Sequence, residues 1–375
     1  MDMALGIAAR VIEKADCRNP ADAVLKRELA LAGHYSPSTR TEASQAVFSY
    51  YRWQGWLEAD RPIEVRLRRA LHFAKSFAEK PESFSTESLG QRAVPSWALA
   101  EIDGEMDWVR SVQKEPRLWL RAKKGTGKLL GEKLGNCWIP PQRELEDAID
   151  YQGGEDLFRT PEFHSGEFEL QDINSQVVGL CCDPQPGETW WDACAGEGGK
   201  MLHLSDLMKN KGLIWASDRA GWRLEKLKRR AARARAFNYR SVLWNGGASR
   251  PTKTRFDGLL VDAPCSGAGT WQRNPHARWT TTIEDVRELG GIQRQLLAHA
   301  APAVKPGGSL IYAVCSMTRT ETREVAEFFE KQFPEFEPRL FSNPFQPSVP
   351  QHLLQLWPQD TGGNGMFVAS WRRKS

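Results

Sequence analysis

The chain has 375 residues, of which 41% are hydrophobic and 26% are charged. These proportions are ordinary for a globular protein with room for two or three domains. The net charge of +4 is small, so any attraction to nucleic acid must come from local clusters of Lys and Arg. The seven cysteines are odd in number and lack a C-x-x-C spacing, which argues against a disulfide framework or a zinc knuckle.

The first sixteen residues lack the basic start and apolar core of a signal peptide. No run approaches the ~18 apolar residues that a membrane span needs. We therefore expect a cytoplasmic protein in a reducing compartment, without a membrane partner and without a bound metal. We also expect a monomer.

Apolar residues recur every three or four positions through residues 1–80, which is typical of amphipathic helices. The break at residues 36–39 (SPST) can cap the helix that follows it. Residues 61–75 are basic and amphipathic. Residues 80–96 are polar and rich in turn formers, which favours a hinge or a domain seam. We predict an all-helical domain over residues 1–85.

The next segment is less regular. Apolar residues between 97 and 106 favour a short helix, and residues 118–122 favour a strand. Turns rich in Gly and Lys follow, and these lysines suit phosphate contact and solubility equally well. We predict a small α+β module over residues 95–170 that serves as a linker or contacts nucleic acid.

From residue 171 onward, apolar strands alternate with amphipathic helices. Strands that are separated by crossover helices form a parallel, doubly wound sheet. We therefore predict an α/β, Rossmann-like fold for residues 171–375. Its predicted strands end at Asp192, Asp218, Asn245, Asp262, Ser316 and Trp371.

The first of these strands ends at Asp192 and leads through the small-residue turn 193–199 into a helix. A strand, a glycine-rich turn and a helix form a nucleotide-binding unit, in which the glycines let a ligand approach the backbone. The dinucleotide pattern G-x-G-x-x-G fails because its third position is Met201. The order of an acid, small residues and Gly-x-Gly-Gly is closer to the S-adenosylmethionine loop of class I methyltransferases. Asp218, about 20 residues further on, stands where an acid commonly accepts ribose hydroxyls, which disfavours a turn without ligand.

The helix predicted over residues 221–237 and its flanks are strongly basic. A one-signed run cannot be neutralised within the helix, so it is either a solvated face or a footprint for a polyanion. The segment has one acid, Glu225, and its basic residues are Arg219, Arg223, Lys226, Lys228, Arg229, Arg230, Arg233, Arg235 and Arg240.

Two cysteines follow the carboxyl ends of predicted strands, where open α/β sheets bind their ligands. Cys265 lies in the turn DAPCSG after the fourth strand, and Cys315 lies at the tail of the fifth. A buried free cysteine is common, but two at matched strand ends are hard to explain by packing. If the two strands are neighbours, the thiols face one cleft.

These motifs resemble the RNA cytosine-C5 methyltransferases of the Sun/Fmu type. The resemblance rests on DACAGEGGK (192–200), Asp218, DAPCSG (262–267) and AVCS (313–316), and it covers about residues 165–371. It implies a class I methyltransferase sheet that uses S-adenosylmethionine. The helical first domain resembles, much more distantly, the NusB-like RNA-binding domain of the bacterial 16S rRNA enzymes of this group.

The resemblance implies methylation of C5 of a cytosine in structured RNA, with 16S rRNA favoured. Cys315 would be the nucleophile that adds to C6, and Cys265 would assist release of the product. Asp262 would hydrogen-bond the cytosine edge, and Lys200 would steady the base or the methionine carboxylate. The target base must be unpaired or flipped out to reach such a cleft.

The resemblance also implies a set of cofactor-binding residues, and three positions depart from the family pattern. Glu197 replaces a proline, Asn245 replaces the acid that usually reads the adenine amine, and Val314 replaces a threonine. An amide oxygen can still accept the adenine hydrogen bond. The implied cofactor-binding set is Asp192, Cys194, Ala195, Gly196, Glu197, Gly198, Gly199, Lys200, Asp218, Arg223, Asn245 and Asp262.

Three other interpretations stay open at this point. The substrate could be tRNA, because the helical domain that points to rRNA carries the weakest resemblance. The chain could instead be a non-catalytic RNA-binding factor for ribosome assembly on a methyltransferase scaffold, against which the intact Asp262, Cys265 and Cys315 argue. A nicotinamide dehydrogenase is disfavoured by Met201 and by two cysteines that have no role in hydride transfer.

Overall fold

A computed structural model describes residues 2–31, 35–104 and 106–375. Contacts between the described residues divide them into two compact units. The helical unit contains residues 1–116, 266–286 and 317–319, and the sheet unit contains residues 117–265, 287–316 and 320–375. The segment that starts one residue after Cys265 therefore belongs to the helical unit. The division at 85, 95 and 170 that we predict from the sequence stays a prediction.

The helices are named in chain order. They are α1 Met3–Lys14, α2 Ala21–Leu31, α3 Pro37–Arg52, α4 Ile63–Glu79, α5 Thr86–Arg92, α6 Ser96–Glu101, α7 Met106–Ser111, α8 Gly127–Leu134, α9 Pro161–His164, α10 Ile173–Cys182, α11 Gly199–Leu207, α12 Gly221–Ala234, α13 Pro275–Thr280, α14 Ile283–Ala300, α15 Arg323–Gln332 and α16 Pro358–Thr361.

The strands are named in the same way. They are β1 Trp119–Ala122, β2 Cys137–Trp138, β3 Ala148–Tyr151, β4 Phe168–Leu170, β5 Thr189–Asp192, β6 Leu213–Asp218, β7 Tyr239–Leu243, β8 Phe256–Asp262, β9 Val304–Val314, β10 Phe336–Pro338, β11 Phe341–Asn343, β12 Gln346–Gln351, β13 Leu353–Leu356 and β14 Met366–Arg373.

The helical unit forms where the periodic pattern predicts helices. Ser36 caps α3, because its Oγ accepts a hydrogen bond from the N–H of Thr39 at 3.1 Å. The indole of Trp53 is fully buried among the rings of Trp56, Phe77 and Phe84. The segment 80–96, which we predicted as a hinge or domain seam, contains α5. Ser85 caps this helix, since its Oγ accepts a hydrogen bond from the N–H of Ser88.

Arg278 on α13 fixes the inserted segment 266–286 within the helical unit. Its guanidinium is fully buried and donates hydrogen bonds to the carbonyl oxygens of Ala93 at 2.8 Å and Val112 at 2.7 Å. It also donates to the carbonyl oxygens of Trp271 and Arg52 and to Oε1 of Gln113. Burial and the nearby Arg52 lower the pKa of Arg278 to about 9. A buried cation is tolerated here because several dipoles surround it.

The α+β module predicted in the middle of the chain is a small antiparallel sheet of order β2-β3-β1-β4. An acid of the same module binds the backbone of the glycine-rich turn after β1. The carboxylate of Asp147 accepts from the N–H groups of Gly125, Thr126 and Gly127. This carboxylate occupies the positive end of helix α8, where an anion is stabilised.

The main sheet has the order β10-β14-β9-β8-β5-β6-β7, with β13 paired to β14. Strands β7, β6, β5, β8 and β9 run parallel, and β14 runs antiparallel to β9. The predicted α/β fold class, with helices and an α+β module ahead of a doubly wound sheet, is confirmed. Strands β8 and β9 are neighbours, so their carboxyl ends lie side by side.

Both faces of the main sheet are covered, as a parallel sheet requires. Trp190 points to the core beneath α10, α11 and α12, whereas Trp191 points to the opposite core beneath α14 and α15. Gly258 on β8 makes room for Trp190, since a Cβ atom there would lie 2.1 Å from the indole ring. Close packing of these strands therefore depends on one residue without a side chain.

Candidate functional site

The turn between β5 and α11 is held open by its glycines. Gly196 and Gly198 have φ of 54° and 89°, a left-handed backbone that residues with a side chain rarely adopt. A Cβ atom on Gly196 or Gly199 would meet nothing within 4 Å. A ligand can therefore approach the backbone at the N-terminus of α11.

Asp218 ties this turn to the end of β6. One carboxylate oxygen accepts from the N–H of Gly196 at 3.0 Å, and the other accepts from the N–H of Ala220 at 2.8 Å. Each oxygen retains a further lone pair. The acid predicted to accept ribose hydroxyls thus lies directly beside the glycine turn and is itself held in place.

Asp192 is a buried carboxylate at the end of β5. It has no exposed surface, and among the described residues neither oxygen has a hydrogen-bond partner of good geometry. Burial raises the pKa of Asp192 to about 8, and repulsion by Asp262 adds to this, while Lys200 and the N–H of Cys194 oppose it. Such a group suits a cationic or hydrogen-bond-donating ligand.

We expect Asp192 to make the unliganded protein less stable as the pH rises. Between about pH 4 and pH 8 the unfolded chain loses this proton while the folded chain keeps it, since the pKa rises from 3.8 to about 8 on folding. The free energy of unfolding therefore falls by up to about 1.4 kcal/mol per pH unit across that window. Urea titrations of wild type and Asp192→Asn from pH 4 to pH 8 measure the difference.

In these titrations Asp192→Asn should gain stability relative to wild type steadily as the pH rises. Glu327→Gln, at an exposed position on α15, serves as the control and should parallel wild type. A difference between Asp192→Asn and wild type that does not change with pH would contradict the expectation.

Lys200 on α11 and Asp262 at the end of β8 form an ion pair, with 2.7 Å between Nζ and Oδ2. The lysine side chain is 11% exposed and the aspartate 28%. Burial alone would lower the pKa of Lys200, but the charge and hydrogen bond of Asp262 outweigh it and raise the pKa. The turn after β5 is thereby connected to the strand that leads to Cys265.

The thiols of Cys265 and Cys315 lie 3.2 Å apart, sulfur to sulfur. The hydrogen bond from Cys265 lowers the pKa of the Cys315 thiol, and the positive charge of Lys200 acts in the same direction. Burial, Asp262 and Glu321 act against it. Cys315 is therefore the sulfur that the site favours as a thiolate, which is the nucleophilic form.

A buried polar network behind the two cysteines has no counterpart in our sequence analysis. Gln293 on α14 donates to the carbonyl oxygen of Pro264 at 3.0 Å and to Oε1 of Glu321 at 3.1 Å. Ser316 donates to the other oxygen of Glu321, and Tyr312 donates to Gln293 at 2.9 Å. The network holds the residue before Cys265 and the residue after Cys315. No local motif marks Gln293, so only its position in the fold identifies it.

The remaining predicted site residues make contacts in or near the glycine turn and after β7. Glu197 pairs with Lys226 at 2.7 Å, and Arg223 lies 4.0 Å from Asp218. Asn245 is exposed and its side-chain oxygen accepts from the N–H of Gly247, so the structure gives it a turn-forming contact. The neighbours Cys194 and Ala195 lie inside the turn, where burial raises the pKa of the Cys194 thiol.

Within the described ranges, no cluster of three or more His, Cys, Asp or Glu side chains could hold a metal ion. In the same part of the chain, every helix is too short or too polar to span a bilayer.

Comparisons with known proteins show what the chain is related to. The family model described as 16S rRNA methyltransferase RsmB/F matches residues 180–372, just over half of the chain. The probable ribosomal RNA small subunit methyltransferase B of Bacillus subtilis (strain 168) is 36% identical over 236 residues, which are 61% of this chain and 53% of that protein. The tRNA (cytosine(72)-C(5))-methyltransferase NSUN6 of Mus musculus is 31% identical over 276 residues, covering 66% of this chain and 54% of that protein.

The crystal structure of the protein PH0851 shares the fold, with a TM-score of 0.79, 23% identity and coverage of 99% of this chain and 97% of that one. The chain spans about half the length of the first curated relatives it matches. The match to the family model includes β5, the glycine turn and both cysteines. The chain belongs to the 16S rRNA methyltransferase RsmB/F family.

Proposed function

We propose that this protein transfers a methyl group from S-adenosylmethionine to C5 of a cytosine in structured RNA. The observation that carries the proposal is the pair of thiols 3.2 Å apart, beside the Lys200–Asp262 ion pair and the open glycine turn. A cytosine-C5 methyltransferase needs one thiolate to activate the ring and a way to release it, and this site offers both. Hydride transfer by a nicotinamide dehydrogenase requires neither thiol.

The residues at the turn fit S-adenosylmethionine. Its α-amino group is a cation, which would stabilise the ionised form of Asp192, a buried acid without a good hydrogen-bond partner among the described residues. Its ribose hydroxyls are donors, and Asp218 has unused lone pairs at the turn. The open space at Gly196 and Gly199 admits a ligand against bare backbone. Bound there, the cofactor supplies a methyl group on a sulfonium sulfur.

The chain's own residues then act on the cytosine. The Cys315 thiolate adds to C6, which forms a sulfur–carbon bond and shifts the electrons of the 5,6 double bond to C5. C5 accepts the methyl group, and the sulfonium becomes a neutral thioether. A base then takes the proton from C5, and the electrons of the carbon–hydrogen bond restore the 5,6 double bond as the Cys315 thiolate leaves. Asp262 hydrogen-bonds the cytosine edge, Lys200 steadies charge at the ring, and Cys265 assists the release.

The favoured substrate within this proposal is 16S rRNA, with tRNA as the second candidate. The matching family model and the Bacillus subtilis relative carry ribosomal names, whereas the mouse relative carries a tRNA name. The proposal includes a monomeric, cytoplasmic enzyme. It also includes the predicted roles of the cofactor-binding residues, among them Arg223, Glu197 and Asn245.

The test is methyl labelling of total RNA from a strain that lacks the gene, with purified full-length protein and radiolabelled S-adenosylmethionine. We expect label in 16S rRNA at a single cytosine, which bisulfite sequencing maps. Label confined to tRNA would move the proposal to the second candidate. Absence of label together with absence of cofactor binding by calorimetry would favour a non-catalytic assembly factor.

A further inference from the structure

The outward face of helix α12 carries aromatic and basic side chains in one row. Leu224, Leu227 and Ala231 are buried and face the core. Positions 222, 226, 229 and 233 lie on the opposite face of the helix. Two phenylalanines of the α+β module continue the row. We call this surface the α12 ridge, and it consists of Trp222, Lys226, Arg229, Arg233, Phe163 and Phe158.

Each end of the α12 ridge presents an exposed aromatic ring. Trp222 is 58% exposed, and Lys226 Nζ lies 4.8 Å from its ring centroid. At the other end Phe158 is 57% exposed and packs edge to face on Phe163 at 5.0 Å. Arg233 lies over the Phe163 ring at 3.8 Å. Lys226 and Arg233 thus each contact one ring, at Trp222 and at Phe163, while Trp222 and Phe158 keep more than half of their surface in solvent.

The α12 ridge begins at the glycine turn of the candidate site. Lys226 pairs with Glu197 of that turn, and Arg230 donates to the carbonyl oxygen of Glu197 at 3.1 Å. Arg230 and Arg233 both bind the buried carboxylate of Glu169 on β4. Arg233 lies eleven positions after Trp222 on the helix, a distance of about 16 Å. The ridge therefore leads away from the reaction site over the length of a few nucleotides.

Acids neutralise only part of the positive charge on this surface. Glu197 and Glu169 pair with Lys226, Arg230 and Arg233. Among the described residues no acid lies within ion-pair distance of Arg229 or Arg235; Glu225 pairs with Lys228 and acts on Arg229 only at longer range. Cations without partners suit a polyanion, and exposed rings suit unpaired bases, which stack on aromatic side chains. The phosphates of a duplex could bind the cations, but its paired bases could not stack on the exposed rings.

We propose that the α12 ridge binds the single-stranded RNA next to the target cytosine, with bases stacked on Trp222 and Phe158 and a phosphate on Arg229. This inference rests on the proposed function for its choice of RNA. It also explains why the cations are clustered on one helix of a chain whose total charge is only +4. Binding to the ridge can be measured without methyl transfer, so the two proposals can fail separately.

The experiment measures fluorescence anisotropy of a labelled, unstructured RNA of about 12 nucleotides with the full-length protein. Trp222→Ala and Phe158→Ala should each weaken binding roughly tenfold, because one stacked base is lost. Arg229→Gln should reduce the slope of log K against log salt by about 0.7, the value for one phosphate of a single strand. The aromatic variants should leave that slope unchanged.

Matched controls lie at exposed positions elsewhere in the sheet unit. Arg372→Gln is on β14, near the opposite edge of the main sheet from β7, and Leu340 is 62% exposed. Both Arg372→Gln and Leu340→Ala should bind RNA as wild type does. Calorimetry with S-adenosylmethionine and a thermal melt check that each variant is folded.

Several results would overturn the inference. One is RNA affinity in Trp222→Ala and Phe158→Ala no weaker than in Leu340→Ala. Another is that the two aromatic variants lose as much affinity for an RNA duplex of the same length as they lose for the single strand. Unchanged RNA affinity with loss of self-association in sedimentation would assign the ridge to a second copy of the chain. A wild-type protein that binds the RNA but transfers no methyl group would instead defeat the proposed function and leave the comparison of variants valid.

Discussion

Replacement of Cys315 by alanine is expected to lower methyl transfer by on the order of 10⁴-fold or more, because it removes the thiol that is assigned to form the covalent bond to C6 and whose pKa the site lowers. The neighbouring Cys265 lies 3.2 Å away but follows a different strand. Replacement of Cys265 by alanine should have a different result: the bond to C6 forms but is released slowly. A protein–RNA adduct should then accumulate and persist in denaturing gels.

Two further variants make this experiment decisive. Cys17 is exposed in the helical unit, and Cys17→Ala should transfer methyl groups at the wild-type rate without an adduct. The double variant Cys265→Ala, Cys315→Ala should form no adduct. Normal turnover by Cys315→Ala, or an adduct in the double variant, would refute the assigned roles of the two cysteines.

Replacement of Arg278 by methionine should destabilise the helical unit by about 3–5 kcal/mol. Methionine fills part of the space but leaves the carbonyl oxygens of Ala93, Val112 and Trp271 buried without their donor. Hydrogen exchange of the full chain measures the effect region by region. Amides in α3 and α5 should lose protection, whereas amides in β5, β8 and β9 should retain it.

The control for this variant is Arg273→Met, which changes the same residue type at an exposed position of the same segment. It should leave exchange in both units as in wild type. Equal protection in Arg278→Met and Arg273→Met would mean that the buried guanidinium does not hold the segment 266–286 in the helical unit.

The amino-acid sequence by itself determined the type of fold and the cysteine pair. Periodicities of two and 3.6 residues involve only positions close together in the chain, so the order of strands and helices can be predicted from local sequence. Parallel strands end at one edge of a sheet, which is why the strand end at Asp262 and Cys315 at the tail of the next strand predicted a shared cleft. The glycine turn after Asp192 was likewise visible as a local motif.

Only the tertiary structure decided which distant groups complete these local motifs. Gln293 and Glu321 support the cysteines from other elements, and Arg278 joins carbonyl groups more than 160 positions away along the chain. A buried hydrogen bond between distant residues leaves no periodic pattern, because each partner looks like any polar residue in its own segment. Which residue becomes the hydrogen-bond partner of each buried polar group is therefore decided only when the chain folds.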